Sequence, residues 1–261
     1  MKDRISIIFF SPHLDDVAFS CGPLVREFSE RGFRCVVATC FSGSKINPSG
    51  FGLKCQTDKG ISKKVDYMKL RRLEDEAWAA SLCANIDLIH GPFVEAPHRG
   101  YDSLNLLFGE LKIEKKLQTL THKWIDHLLE TFSTRLVFCP KAVGGHVDHK
   151  FLKSALEEQQ RDKCFKLFYY LDQPYFGRIE KGGFPLTGDS LTKTYYFEDF
   201  WIRNALKAAT CYHSQLGFQF GGVQPAVTFL SDAWAKGISI SAGDSCASFS
   251  MLDRDIPVMG P

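Results

Sequence analysis

The sequence predicts an α/β layer fold built on a mostly parallel sheet, and two observations carry that expectation. Short β-rich runs alternate along the chain with amphipathic stretches of helical length. The 261 residues are 44% hydrophobic and 24% charged, an ordinary globular balance in a chain long enough to bury a large core. One domain over residues 1–261 is expected, with 222–261 unassigned as a C-terminal extension or lid.

The elements follow in order. Residues 5–10 form an apolar first strand that runs into Ser11-Pro12-His13. Residues 17–31 read as a helix because Leu24, Val25 and Phe28 recur at helical spacing before the stop signal Gly32. With a second strand over 34–39 this makes a βαβ unit. Residues 41–62, rich in Gly, Ser, Lys and Asn, are expected to form a rim or lid over a site. A helix is expected over 63–84 with Leu70, Leu73, Ala77 and Ala80 on its inner face and charges opposite. Further strands are expected at 88–90, 135–139 and 166–170, and further helices at 116–131, 147–160 and 198–212, with an irregular region over 173–190.

Composition narrows the function classes. Lys and Arg number 32 against 30 for Asp and Glu, so a net charge of +2 gives no reason to expect a nucleic-acid partner. The apolar run 5–10 is too short for a signal segment, and no stretch approaches the ~18 residues of a membrane span. Nine scattered cysteines without a CxxC pair read as buried reduced thiols. A cytoplasmic location is therefore expected.

The chemistry concentrates in two motifs. Pro12-His13-Leu14-Asp15-Asp16 lies where the first strand gives way to the first helix, and Gly144-Gly145-His146-Val147-Asp148-His149 lies between a later strand and its helix. Ligands of open α/β sheets bind beyond the carboxyl ends of the strands, so both motifs face the expected crevice. An N-cap role explains one of the adjacent aspartates but not both together with a histidine. Adjacent carboxylates repel, and a site that keeps them together supplies a cation or a proton. His13, Asp16 and His149 would then form a two-histidine, one-carboxylate set with open coordination positions; its ligand chemistry favours Zn2+, with Fe2+ second. A phosphate-binding Rossmann protein is disfavoured, because two carboxylates stand where a Gly-rich turn and a phosphate would be.

Both motifs in this order resemble those of the PIG-L/LmbE-like zinc-dependent de-N-acetylase family. Arg71-Arg72-Leu73-Glu74 resembles that family's Arg-x-x-Glu helix, and Lys207-Ala208-Ala209 with His213-Ser214-Gln215 resembles a later helix end, so the likeness runs over residues 4–216. It implies a Rossmann-like fold, zinc on His13, Asp16 and His149, and Asp15 as general base. A protonated His146 would stabilise the oxyanion, oriented and kept protonated by Asp148. By the same likeness Arg71 would contact substrate hydroxyls or a phosphate, unless it forms an exposed ion pair with Glu74. Arg99 and His98 are candidates for lining the acceptor side. Where many members carry an acidic turn after the second strand, this chain has Phe41-Ser42-Gly43-Ser44, and Leu82-Cys83-Ala84 replaces the usual end of the Arg-x-x-Glu helix. Tyr101, Trp78, Tyr175, Phe176 and Trp201 either stack on sugar rings or, as is commoner, fill the core.

The resulting expectation is a metal-dependent hydrolase that removes an N-acetyl group from an amino sugar or amino-sugar glycoside. The alternatives are an amidase of a larger conjugate and a non-catalytic sugar-binding protein of the same fold, although such a protein would be expected to have lost the base or a ligand.

Overall fold

The computed structural model of the chain describes residues 5–82, 85–163, 165–181 and 192–243. In chain order its elements are β1 (Ser6–Ser11), α1 (Asp16–Glu30), β2 (Arg34–Thr39), α2 (Gly50–Thr57), α3 (Tyr67–Leu82), β3 (Ile86–His90), a 3-10 turn (Ala96–His98), α4 (Leu104–Leu107), α5 (Lys115–Thr131), β4 (Leu136–Pro140), α6 (Val147–Asp162), β5 (Lys166–Tyr170), α7 (Tyr175–Lys181), β6 (Thr192–Tyr195), α8 (Asp199–Ala209), α9 (His213–Phe220), α10 (Val223–Ala235) and β7 (Ile238–Ala242). The seven strands form one sheet in the order β3-β2-β1-β4-β5-β7-β6. The first five are parallel, whereas β7 runs antiparallel to both β5 and β6.

Side-chain alternation on β1 divides the core. Ile7 and Phe9 face a layer that includes Phe19 and Leu24 of α1, Trp78 of α3, Ala205 of α8 and Trp234 of α10. Ile8 and Phe10 face the opposite layer, with Ile125 and Leu128 of α5 and Leu152 and Leu156 of α6. A strand buried on both faces is a continuous apolar run, which is why Ile7-Ile8-Phe9-Phe10 carries no polar residue. The strand order reverses between β1 and β4, so the loops leaving their carboxyl ends diverge and open a crevice.

All five strands expected from the sequence are present, and the helices over 17–31, 116–131, 147–160 and 198–212 have counterparts in α1, α5, α6 and α8. Helix α2 falls inside the segment expected to be an irregular rim; it has almost no apolar stripe, burying only Gly52 and Gln56. The two short antiparallel strands β6 and β7 extend the sheet from a region where no strand was expected. In α10, which falls in the unassigned C-terminal region, Ala226, Leu230 and Trp234 recur every four residues and are buried.

The inner face of α3 is corrected. Leu73 is 53% exposed, and Ala77 and Ala80 are also exposed, while Tyr67, Met68, Arg71, Glu74, Asp75, Trp78, Ala79 and Leu82 are buried. The buried charges reverse the expected polarity because each has partners in other elements, described below. Expectations for residues 182–190, for 244–261 and for Cys83, Ala84, Cys164 and Cys246 lie outside the described residues. Cys21, Cys35, Cys40 and Cys139 are buried free thiols, and Cys55 and Cys211 are partly buried ones. Among the described residues no helix is long and apolar enough to cross a membrane.

Three rings bind the middle of the sheet: Phe138 of β4 stacks on Phe9 at 4.7 Å and on Phe168 at 5.2 Å between centroids. Phe138→Ala is expected to cost about 3–5 kcal/mol of unfolding free energy, read from the denaturant midpoint. A loss below about 1 kcal/mol would show that this stack is not central to the core.

Candidate active site

The two motifs meet in the crevice. β1 delivers His13, Asp15 and Asp16 at its carboxyl end, and the turn after β4 delivers His146, Asp148 and His149. Gly144 makes that turn possible: its φ is +83°, and a Cβ there would lie 2.9 Å from the Cβ of Tyr175.

Asp16 begins α1 but does not cap it. Its Oδ2 accepts from the backbone N–H of His13 at 2.8 Å and lies 3.2 Å from His13 Nδ1 and 3.3 Å from His149 Nε2. Asp15 occupies the N-cap position, yet its side chain makes no capping bond. Its Oδ1 accepts from Arg71 Nη2 at 2.9 Å and its Oδ2 from Gln219 Nε2 at 3.3 Å. Capping therefore accounts for neither carboxylate.

Each ligand-type imidazole is backed by a carboxylate on its far nitrogen. His13 Nε2 is 3.0 Å from Asp148 Oδ2, and His149 Nδ1 is 2.5 Å from Asp172 Oδ1, just past the end of β5. Such backing fixes the ring and its tautomer, leaving the near nitrogen as a lone-pair donor. His149 Nε2 is buried without a hydrogen-bond partner, although it faces Asp16. A buried acceptor of this kind is costly to leave unsatisfied, and a metal ion beside Asp16 would satisfy it.

Two sets of side chains have the spacing to hold a metal: His13, Asp16 and His149, and His13, His146 and Asp148. The second is otherwise engaged. Asp148 Oδ1 accepts from Arg99, and its Oδ2 accepts from the Ala96 N–H at 2.9 Å and meets His13. The first set contains the unsatisfied nitrogen.

The charge environment is polarised. Burial pushes the Asp15 carboxyl up, with repulsion from Asp16 adding and Arg71 opposing. Burial also acts on Asp16, but His149 and His13 outweigh it and hold the carboxyl far below the usual range. His149 is pushed up to about 9, because Asp16 and Asp172 overcome the cost of burial. The consecutive residues Asp15 and Asp16 thus occupy opposite environments, a common mark of divided roles.

The expectation of a protonated His146 held by Asp148 is corrected. His146 is 7% exposed, and its pKa falls to about 3 through burial and the neighbouring His13. Its Nδ1 accepts from the Asp148 backbone N–H at 3.2 Å, which assigns the neutral ring a proton on Nε2. A bound cation would push in the same direction. The Asp148 carboxylate serves His13 instead.

The three substrate-contact candidates separate. Arg71 is 4% exposed and spends its guanidinium on Asp15 and Glu95, not on Glu74. Arg99 is spent on Glu114, the Val94 carbonyl and Asp148, and stacks 4.6 Å from the Phe41 ring centroid. His98 lines an open cavity beside the site. Arg72 braces the 41–44 turn by donating to the Ser42 carbonyl and Ser44 Oγ. Trp78 and Tyr101 are core residues, whereas Tyr175 meets His149 edge-on at 5.5 Å and Phe108 meets His146 at 5.4 Å.

Asp172 and Gln219 were missed, since neither belongs to a recognisable motif. His213-Ser214-Gln215 opens α9 rather than ending a helix. Ser214 donates through N and Oγ to Glu74, and Gln215 donates to Tyr67 Oη. Asp75 meets His90 at 2.7 Å and accepts from Tyr212 Oη at 2.6 Å. These contacts explain the buried charges of α3 and carry α9, with Gln219, up to Asp15. Tyr212→Phe removes one partner of the buried Asp75 carboxylate, at an expected cost of about 1–3 kcal/mol in chemical denaturation. An unchanged midpoint would remove this network from the forces that dock α9.

Residues 8–159 match the model of the family described as PIG-L, GlcNAc-PI de-N-acetylase. A 2'-N-acetylparomamine deacetylase from Streptomyces fradiae is 26% identical over 171 residues, covering 66% of this chain and 58% of that protein. The chain thus spans less than two thirds of that relative's length. Among solved structures, the A40926 pseudoaglycone deacetylase superposes with a TM-score of 0.78 at 22% identity, over 94% of this chain and all of the other. The zinc-inhibited form of a teicoplanin deacetylase gives 0.75 at 20% identity, over 92% of this chain and all of that one. At these identities the two structures establish the fold.

Proposed function

Because the chain belongs to the GlcNAc-PI de-N-acetylase (PIG-L) family, we propose that it is a metal-dependent N-deacetylase that hydrolyses the acetamide of an amino-sugar glycoside. The observation that carries this reading is a metal-competent triad, the part-buried His13 with the buried Asp16 and His149, and a second carboxylate, Asp15, beside it and bonded to no ligand-type histidine. The relatives named above support the class, since their names specify deacetylation of 2'-N-acetylparomamine, of teicoplanin and of the A40926 pseudoaglycone.

His13, Asp16 and His149 would hold the ion, with zinc favoured by the donor set and Fe2+ second. When bound, it would polarise the amide carbonyl and acidify a water molecule. The chain's own residues do the rest. Asp15 takes the proton from the attacking water as its oxygen bonds to the carbonyl carbon. Burial raises its affinity for that proton, and the Arg71 guanidinium opposes the rise by favouring the ionised carboxylate. As the carbonyl oxygen gains charge, His146 Nε2–H donates to it as a neutral imidazole. Asp15 then passes the proton to the amine nitrogen, the C–N bond breaks, and acetate and the free amine leave. Asp148 and Asp172 orient the two histidines, and Arg99 orients Asp148. The buried free thiols support a reducing, cytoplasmic setting.

A panel of N-acetyl amino sugars and their glycosides, followed by amine release with and without chelator, tests the class. Chelator-sensitive release is expected. In the same assay Asp15→Asn should lower turnover by at least about 100-fold while retaining metal, whereas His149→Ala should lower the metal content itself. Equal metal loss in both variants would contradict the separation of base from ligand, and a fully active Asp15→Asn would remove the base assignment.

A further inference from the structure

Asp15 is 2% exposed, yet its own helix does not hold the side chain: it occupies the N-cap position of α1 without a capping bond. Arg71 holds only Oδ1, at 2.9 Å. One bond to one oxygen leaves the carboxylate able to turn about Cβ–Cγ, a torsion whose wells are broad. Among the described residues the second hold comes from Gln219 Nε2, which donates to Oδ2 at 3.3 Å. A carboxylate oxygen offers two lone-pair sites, so Oδ2 keeps one for the proton of the attacking water while Gln219 takes the other. A neutral amide does this without adding to the positive charge that Arg71 already sets against Asp15.

The arm that carries Gln219 is anchored on every side of it. Its carbonyl, one of the last-turn acceptors that α9 leaves without an intrahelical donor, accepts from Arg178 Nη2 on α7. The next residue, Phe220, packs edge-on against Phe19 of α1 at 5.3 Å between centroids, and Phe229 of α10 lies 5.3 Å from the same ring. On the preceding side, Lys59 Nζ stands 4.5 Å from the ring centroid of Phe218 and 5.3 Å from that of Tyr67. Helix α9 then stops at Gly221, whose φ of +85° strains any residue but glycine. These anchors fix the helix in rotation, and a shift of one residue would turn the amide about 100° away from Asp15. We propose that Gln219 is the positioning residue of the base: by holding Oδ2 it fixes the plane of the Asp15 carboxylate and presents that oxygen to the attacking water. The inference rests on the deacetylase reading, which gives Asp15 the role of base.

Two substitutions test it. Gln219→Met keeps the length of the side chain and removes the bond, whereas Gln219→His restores a neutral N–H at similar reach when assayed at about pH 8. With the zinc-loaded protein and the fastest substrate of the N-acetyl amino-sugar panel, Gln219→Met is expected to lower kcat by about 10- to 100-fold at nearly constant KM, and Gln219→His to recover most of it. Zinc content and melting temperature should match the unaltered protein in both, because Gln219 is only half-buried. In an Asp15→Asn background Gln219→Met is expected to cost nothing further, since a positioning residue acts only through the group it positions. A loss of equal size in both backgrounds, a rise in KM at unchanged kcat, or full activity of Gln219→Met overturns the inference and leaves the deacetylase reading intact. A crystal structure of zinc-loaded Gln219→Met reads the same geometry without turnover: an Asp15 carboxylate rotated about Cβ–Cγ is expected, and one still in its original plane overturns the inference. If no substrate of the panel is hydrolysed, the deacetylase reading falls, and the plane of that carboxylate alone decides whether Gln219 positions Asp15.

Discussion

The structure depends on the burial of four aspartates, Asp15, Asp16, Asp148 and Asp172, at one end of the sheet, all 5% exposed or less. Isolated carboxylates do not tolerate such burial. Two guanidiniums, Arg71 and Arg99, reach into the group, on Asp15 and Asp148. The remaining negative charge falls to protons on the imidazoles of His13 and His149, or to a divalent cation that would take the place of those protons. Metal binding and the protonation of these histidines are therefore two answers to one electrostatic demand. The pKa of about 9 at His149 is its metal-free form.

That demand organises the elements around it. Arg71 is on α3, Arg99 follows the 3-10 turn and Asp172 follows β5, so the cluster ties a helix and a loop outside the sheet to the carboxyl ends of β1, β4 and β5. Helix α9 is drawn in by Glu74 through Ser214 and reaches Asp15 through Gln219. The site is thus held by a shell of hydrogen bonds to the histidines' far nitrogens and to Asp15. In the proposed mechanism, preorganisation of this kind would let a small donor such as the His146 ring act without reorganising at the moment of reaction.

Much of this frame was legible in the sequence, for reasons that differ by element. Strands β1, β2, β4 and β5 were legible because burial on both faces leaves long apolar runs, and the two motifs because acidic and imidazole residues stood at strand-to-helix turns. The orientation of α3 was not legible. Arg71, Glu74 and Asp75 look like a solvent face until their partners are known, and those partners lie far along the chain: Asp15 and Glu95, Ser214, and His90 with Tyr212. The same distance hid Asp172 and Gln219. Arg99 shows another limit: a loop arginine near a site looks like a substrate contact, and its bonds to Glu114 and Asp148 could not be read from the sequence. Helix α2 offered no periodicity to read, and its role emerges only as a wall of the open cavity that His98 lines.

The measurement that bears most directly on the central claim is a crystal structure of the zinc-loaded protein with anomalous data at the zinc edge, because His13 is shared by both metal-competent sets. One anomalous peak bound by His13, Asp16 and His149, with Asp148 and Asp172 still on the far nitrogens of the two rings, is the expected result. A peak on His146 and Asp148, or a zinc-saturated crystal with no peak in the crevice, would contradict the assignment of ligands and, with it, the role given to Asp15.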